Sequence, residues 1–335
     1  MNSPETPHRW VAEALVLVAC CVGLACGRPA GGAPPPATAG QSKQDSRHPA
    51  APEGIPEARV RAELTALADD SMQGRATGTP GAARAARWLA GRLAGAGIRP
   101  AGDSGYYQRV PGAGANVVGL IPGADPVLRG RAVVVAAHYD HLGVGRPVAG
   151  DSIYNGADDD ASGVVAVLEA ARALRAGPPP RRTVVVLFTT GEERGLLGTL
   201  AYLEHPVVPL DSTDAELELE MVGRPDSLAG GPGRLWLTGD ERSTMGAAFR
   251  RAGLPVVPDP RPAEHFFERS DNIAFARRGI PAHTLSSFDL HADYHAPSDE
   301  ASRIDFAHLT EAARVAARAL RVLADGGAPV WEGRD

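Results

Sequence analysis

The stretch "RAVVVAAHYD", residues 131–140, is an apolar run that ends in a histidine and an aspartate. Such a run, without polar alternation, is typical of a strand buried on both faces of a parallel sheet. "RRTVVVLFTTGEE", residues 181–193, repeats the pattern and ends in two glutamates. Between them, "SGVVAVLEAARALRAG", residues 162–177, has helical spacing. The order strand, helix, strand predicts an α/β fold with a mostly parallel central sheet and helices on both faces.

Further elements extend this pattern in both directions. Helices are predicted at residues 56–70, 78–97, 243–254 and 306–323. Strands are predicted at residues 115–123, 233–240 and 280–287. The alternating segment "AELELEMVG", residues 215–223, predicts a strand with one face exposed to solvent.

The first 55 residues of the chain differ in composition from the rest. Residues 1–26 contain an apolar stretch that is too short for a comfortable membrane span, and we interpret it as an export signal. "LVAC" and "GLAC", ending at Cys20 and Cys26, resemble bacterial lipoprotein cleavage sites, and Cys26 is favoured. We therefore expect an exported protein, periplasmic or on the bacterial cell surface, anchored to the membrane through an N-terminal lipid; plain secretion is the alternative.

The remaining boundaries follow from composition. Residues 27–55 are rich in Pro, Gly and Ala and are predicted to be a disordered tether. Residues 56–325 form the predicted catalytic domain, and residues 326–335 form a C-terminal tail. All 3 cysteines lie before residue 27, so the domain has no disulfide framework. The net charge of −6 argues against a nucleic-acid partner held by general electrostatics.

Polar side chains collect where the predicted strands end. His138 and Asp140 follow one strand, Glu192 and Glu193 another, and Glu220 a third. Three aspartates, 158–160, precede a helix, and His295 follows a further strand. Ligands of open α/β sheets bind at this edge, and a mixture of His, Asp and Glu is the ligand set of zinc. Each feature alone is weak, but neighbouring carboxylates repel each other, so the set indicates a bound dication.

The motifs that carry these residues resemble those of the co-catalytic zinc aminopeptidases, whose relatives include carboxypeptidases and glutaminyl cyclases. The resemblance covers nearly everything from Pro56 onward. The matching motifs, in order, are "AHYDHLG", "NGADDDASGVVAVLE", "TTGEERGLLGT", "LEMVGRPD", "RSDNIAFARRGIP" and "DYHAPSDE".

The resemblance implies a role for each residue and two zinc ions per chain. Asp159 would bridge both ions, with a cis peptide to Asp160, and Asp140 would orient His138. Glu192 would be the general base, and Tyr294 would help to polarise the scissile carbonyl. The implied zinc ligands are His138, Asp159, Glu193, Glu220 and His295. Glu220 stands where the family most often has aspartate, so its longer side chain leaves the choice of metal at that position open.

These roles imply an aminopeptidase, a zinc metallopeptidase in which two zinc ions and a glutamate base activate a bridging water. The expected substrates are peptides or small amides, and the preferred side chain and the oligomeric state stay open. Phe266 and Phe267 are candidates for lining an apolar pocket. A carboxypeptidase or other amidohydrolase on the same site is the main alternative, and it needs an arginine aimed at a substrate carboxylate. An inactive peptide-binding relative is disfavoured because every ligand and the base are present.

Overall fold

The computed structural model describes residues 54–333. The predicted export signal, its cysteines and nearly all of the predicted tether lie outside the described residues. Within residues 54–333, no helix is both long and apolar enough to cross a membrane.

A nine-stranded mixed sheet forms the centre of the domain, in the order β1-β3-β7-β4-β8-β11-β9-β10, with β2 paired to β3. Its strands are β1 (Arg99–Pro100), β2 (Tyr107–Val110), β3 (Gly114–Ile121), β4 (Ala132–His138), β7 (Thr183–Thr189), β8 (Thr213–Leu219), β9 (Leu235–Leu237), β10 (Val256–Pro258) and β11 (Ala282–Ser286). The four middle strands β7, β4, β8 and β11 run parallel, so their carboxyl ends meet at one edge. A separate hairpin is formed by β5 (Gly143–Val148) and β6 (Asp151–Tyr154). The predicted mostly parallel sheet is thus confirmed at its centre, and the antiparallel pairs lie towards its sides.

Helices cover both faces of the sheet, as predicted. The helices are α1 (Glu57–Leu67), α2 (Pro80–Gly95), α3 (Gly163–Ala176), α4 (Leu197–Glu204), α5 (Met245–Arg251), α6 (Asn272–Arg277) and α7 (Phe306–Asp325). The larger core lies on the face of α1, α2, α3 and α7, and it is built from side chains such as Leu89, Leu168 and Leu320. A smaller core lies under α4 and α6, around Phe275 and Leu187.

The prediction for the alternating strand is wrong. Every residue of β8 is buried, because the strand pairs with β4 and β11 and both of its faces are covered. Glu218 survives burial by accepting hydrogen bonds from Ser270 Oγ, the Asn272 main-chain N–H and Thr284 Oγ1. In β8, the alternation of polar and apolar residues therefore places the glutamates in a buried polar layer and not in solvent.

The sequence did not predict several short elements, among them α4, α6 and the strands β5 and β6. Each of these helices and strands has eight residues or fewer, which is too short for a periodic apolar pattern to be recognised. After α7 the chain stays on the domain: Trp331 bridges to Ser243, and its Nε1 donates to the Gly279 carbonyl oxygen.

Candidate metal centre

The polar residues singled out in the sequence lie together at the carboxyl edge of the parallel strands. His138 is the last residue of β4, and Glu220 directly follows β8. Glu192 and Glu193 follow β7 after a glycine turn, and Asp159 lies in a wide turn, residues 157–162, that leads into α3. The sheet thus brings together residues that are far apart in the chain.

Two groups of ligand atoms converge at this edge, and they share one carboxylate. The first group is His138, Asp159 and Glu220, and the second is His141, Asp159 and Glu193. His138 Nε2 lies 3.3 Å from Asp159 Oδ1, and His141 Nδ1 lies 3.7 Å from Asp159 Oδ2. Asp159 therefore turns one oxygen towards each group.

His295, the predicted ligand from the last motif, faces the second group. Its Nε2 lies 3.2 Å from Asp159 Oδ2 and 3.3 Å from Glu193 Oε2. All five predicted ligands are accordingly assembled at one place. His141 joins them there, although the sequence argument did not name it.

The other two aspartates of the triplet hold the turn in place. Asp158 Oδ1 accepts hydrogen bonds from Ser162 Oγ and the Gly223 N–H. Asp160 Oδ1 accepts from the N–H groups of Gly163 and Met221 at 3.0 Å each. The peptide between Asp159 and Asp160 is cis, as the resemblance implied.

Two further buried side chains fix the same turn from below. Asp299 accepts the main-chain N–H groups of Asp158 and Asp159, at 3.0 Å each. Arg75, which is fully buried, donates to the carbonyl oxygens of Tyr139, Asn155 and Gly156. Burial lowers the pKa of Arg75 to about 10, so it stays a cation that ties two of the site loops together.

Asp140 differs from its predicted contact. Its main-chain carbonyl oxygen lies 3.1 Å from His138 Nδ1, whereas its carboxylate Oδ1 is 3.9 Å away. The carboxylate is occupied otherwise, because it accepts hydrogen bonds from Thr77 Oγ1 at 2.6 Å and from the Glu192 N–H at 3.2 Å. The main-chain carbonyl oxygen of Asp140 therefore orients the His138 imidazole, and its carboxylate positions Glu192.

A cavity opens directly beside both ligand groups. Glu192 and Tyr294 line it together with Asp159 and Glu193. The Tyr294 ring stacks on the His295 ring at 3.9 Å. The far wall is apolar and is made by Met221, Trp236, Phe266 and Phe288. Of the two phenylalanines predicted to line a pocket, Phe266 does so, whereas Phe267 packs on His283 and Trp331.

The environment sets the charge of each carboxylate differently. Burial raises the pKa of Glu192 well above its usual range and that of Glu220 to about 7. Burial acts in the same sense on Asp159 and Glu193, but the facing histidines outweigh it: the pKa of Asp159 falls well below its usual range, and that of Glu193 to about 2. Asp159 and Glu193 are thus ionised near neutral pH, whereas Glu192 binds a proton more readily than an exposed glutamate does.

The donor set fits zinc. Imidazole nitrogens and carboxylate oxygens are zinc ligands, and both groups consist of them alone. His138 Nε2 is buried and has no hydrogen-bond partner among the described residues, although it faces Asp159. A buried imidazole nitrogen that faces a carboxylate without a hydrogen bond to it fits a site in which both groups bind one cation.

Some of the residues that build the centre were within reach of sequence analysis. His141 and Asp299 belong to the same motifs as His138 and His295, so their proximity in the chain was a usable signal. Arg75 and Thr77 follow a helix at some distance from every motif, and nothing in their local pattern marks them.

Comparison with known proteins gives a family match over most of the domain. The sequence model of peptidase family M28 matches residues 116–320. A vacuolar membrane protease of Penicillium rubens is 38% identical over 184 residues, which are 54% of this chain and 17% of that protein. A probable leucine aminopeptidase of Arthroderma otae is 29% identical over 216 residues, 60% of this chain and 54% of that protein. The chain thus spans only part of the curated relatives that it matches.

Solved structures share the fold. The LapA aminopeptidase of Legionella pneumophila superposes with a TM-score of 0.65 at 21% identity, covering 84% of this chain and 76% of that one. The zinc aminopeptidase BSAP of Bacillus subtilis gives a TM-score of 0.62 at 15% identity, covering 84% and 99%. At these identities the likeness establishes the fold alone.

The relatives also correct one expectation. The predicted location, a bacterial periplasm or cell surface, is overturned because the curated relatives matched over about half of this chain are vacuolar membrane proteases of fungi. The expectation rested on residues 1–26 alone, and these lie outside the described residues.

Proposed function

Because the chain belongs to peptidase family M28, as its motifs predicted, we propose that it is an aminopeptidase that removes the first residue of peptides or small amides. Family membership supports the predicted class of zinc metallopeptidase. The observation that carries the proposal is the pair of ligand groups that share Asp159 beside an open cavity.

Two zinc ions are proposed to occupy the centre. His138 and Glu220 would hold one ion, Glu193 and His295 the other, and Asp159 would contact both. When bound, the two ions would polarise the substrate carbonyl and lower the pKa of the water between them. A free substrate amine would meet the same carboxylates, which accounts for a preference for N-termini.

Glu192 is the proposed general base. It lines the cavity without joining either ligand group. Its main chain is held by the Asp140 carboxylate, and burial raises its pKa well above its usual range. A carboxyl group with such a pKa is suited to accept a proton from water and then to give it to the leaving amine. Tyr294, at the mouth of the same cavity, would donate a hydrogen bond to the carbonyl oxygen.

The apolar wall is the proposed pocket for the side chain of the first substrate residue. Trp236 and Phe266 stand 5.1 Å apart between ring centres, and Phe288 closes the corner at 5.9 Å from Phe266. Aromatic walls of this kind bind apolar side chains by burying their surface. We therefore expect substrates with a large apolar first residue.

Arg269 supports a second candidate function. It lines the same cavity and stacks over the Phe266 ring at 4.9 Å. A guanidinium group there would hold a substrate carboxylate, which is the feature that a carboxypeptidase requires.

Hydrolysis rates on three kinds of substrate separate the two candidates. They are amino-acid amides with a free amine, the N-acetylated forms of these amides, and acetylated dipeptides with a free carboxylate. The full chain should cleave only the free-amine substrates, lose activity to a chelator and regain it with zinc. Arg269→Gln should leave this activity nearly unchanged. Cleavage of acetylated dipeptides that disappears in Arg269→Gln would establish the carboxypeptidase, and full activity of the metal-free protein would end both proposals.

A further inference from the structure

His141 is a buried imidazole at the metal centre to which the proposed function gives no role. Its side chain is inaccessible, whereas that of His295, across the same carboxylates, is 36% exposed. Its Nδ1 lies 2.9 Å from Glu193 Oε1 and 3.7 Å from Asp159 Oδ2. These separations resemble those that His295 Nε2 makes with the same two carboxylates, at 3.3 and 3.2 Å.

The main chain around His141 holds the ring in this position. Its N–H donates to the Arg75 carbonyl oxygen, and the residue bridges to Ala76. On the other side the ring lies against Gly156, which has a φ of +55°. A Cβ at Gly156 would stand 2.1 Å from the Asp159 carbonyl oxygen and 2.5 Å from His141 Cγ, so a side chain at that position would displace the turn, the ring or both. The turn before Asp159 is therefore shaped to admit this imidazole.

We propose that His141 is a zinc ligand, through Nδ1, at the metal position that Glu193 and His295 form. The inference rests on the proposed function, which supplies the metal. With this ligand, the two metal positions differ in their number of protein ligands. One would have four, namely His141, Asp159, Glu193 and His295. The other would have three, namely His138, Asp159 and Glu220. A position with four protein ligands is closed, as in structural zinc sites, and one with three keeps a place for substrate. The four-ligand position should therefore fill first and empty last.

X-ray absorption of the full chain loaded with one zinc ion tests this directly. Two imidazoles, from His141 and His295, should coordinate the single ion. A single imidazole would overturn the assignment while leaving the proposed function intact. A chain that binds no zinc would refute the proposed function itself, so the two failures are distinguishable.

Two substitutions separate a ligand from a residue that merely orients Glu193. Asn donates a hydrogen bond to a carboxylate but is a poor zinc ligand, so His141→Asn and His141→Ala should weaken the tighter of the two zinc sites alike. The expected loss, from chelator competition, exceeds about 100-fold, the upper range for removal of an outer partner. The exposed His265, changed to Ala, is the matched control and should bind as the wild type does.

If the His141→Asn variant binds zinc as tightly as the wild type, the imidazole only donates a hydrogen bond to Glu193, and the proposal is overturned. Wild-type affinity in His141→Ala would do the same. Thermal unfolding of each metal-free variant shows whether it is folded. If a variant does not fold, the X-ray absorption measurement on the wild type decides whether His141 is a zinc ligand.

Discussion

Two buried groups of acidic side chains in this domain are neutralised in opposite ways. On the helical side, Glu63 of α1 and Glu169 of α3 are surrounded by arginines: Arg172 lies 2.7 Å from Glu63 and 2.5 Å from Glu169. Arg59 pairs with Glu169 as well, and Arg92 stands 3.7 Å from Glu63. We call this group the helix-side ion pairs.

At the strand ends the acids Asp159, Glu192, Glu193 and Glu220 lack such partners. Within the described residues no arginine lies within ion-pair distance of them, and the cations that face Asp159 and Glu193 are histidines. Leaving buried carboxylates unpaired is costly unless another cation binds. The difference teaches that arginines neutralise buried acids where the charge has only to be stable, whereas a cluster of acids that faces histidines and lacks arginines marks the place of an exchangeable cation.

The largest expected effect separates two neighbours within the strand-end group. Glu192→Gln keeps the shape of the side chain but cannot accept a proton, so kcat should fall by about 10²- to 10⁴-fold while zinc content stays intact. Glu193→Gln should instead lower zinc content, and added zinc should restore part of the activity. Metal analysis and steady-state kinetics check both variants, and the reverse pattern would exchange the two roles.

The next effect concerns pH. The pKa of Glu220 is raised to about 7 by burial, and that of His295 to about 10 by Asp159 and Glu193, which outweigh the effect of burial. Both groups bind more protons in the folded metal-free chain than in the unfolded chain. The free energy of unfolding of the metal-free protein should therefore fall as pH rises from about 5 towards 10.

Zinc affinity should rise over the same window, because the ion must displace these protons, by up to about tenfold per pH unit for each proton released. Calorimetry in buffers of different ionisation enthalpy measures the protons released. A zinc affinity that is flat between pH 6 and 8 would contradict the assigned protonation states.

A smaller effect is expected from the helix-side ion pairs. Glu169→Gln removes a buried acceptor from two arginines and should lower the free energy of unfolding by about 2 kcal/mol. Zinc affinity and kcat should not change, since Glu169 contacts Arg59 and Arg172 and belongs to neither ligand group. Glu220→Gln is the matched change, and it should weaken zinc binding without destabilising the metal-free chain. Chemical denaturation measures both variants. If Glu169→Gln and Glu220→Gln lower the free energy of unfolding equally, the two groups of acids do not differ in the way proposed.

The smallest effect belongs to the rim of the same ion pairs. Arg92 is 45% exposed and stands 3.7 Å from Glu63, so solvent screens the pair. Arg92→Ala should change the free energy of unfolding by less than about 1 kcal/mol. A larger loss in denaturant titration would mean that Arg92 supports Glu63 more strongly than its exposure indicates.

The sequence by itself determined the sheet centre and five of the six proposed ligands, all but His141. Runs such as β4 and β7 are apolar throughout because both of their faces are covered, and that pattern is visible without coordinates. His138, Glu193 and Glu220 stand where such runs end, so the parallel order of the strands implied that they meet.

Only the tertiary structure decided the surroundings of those ligands. The burial of β8 depends on its neighbours β4 and β11, which no local pattern of "AELELE" can reveal. The entry of His141 into the second ligand group depends on the φ of Gly156 and on the contact with Arg75, residues 15 and 66 positions away in the chain. Local sequence fixes the type of side chain and its strand, whereas the partners of a side chain are set by segments that only folding brings together.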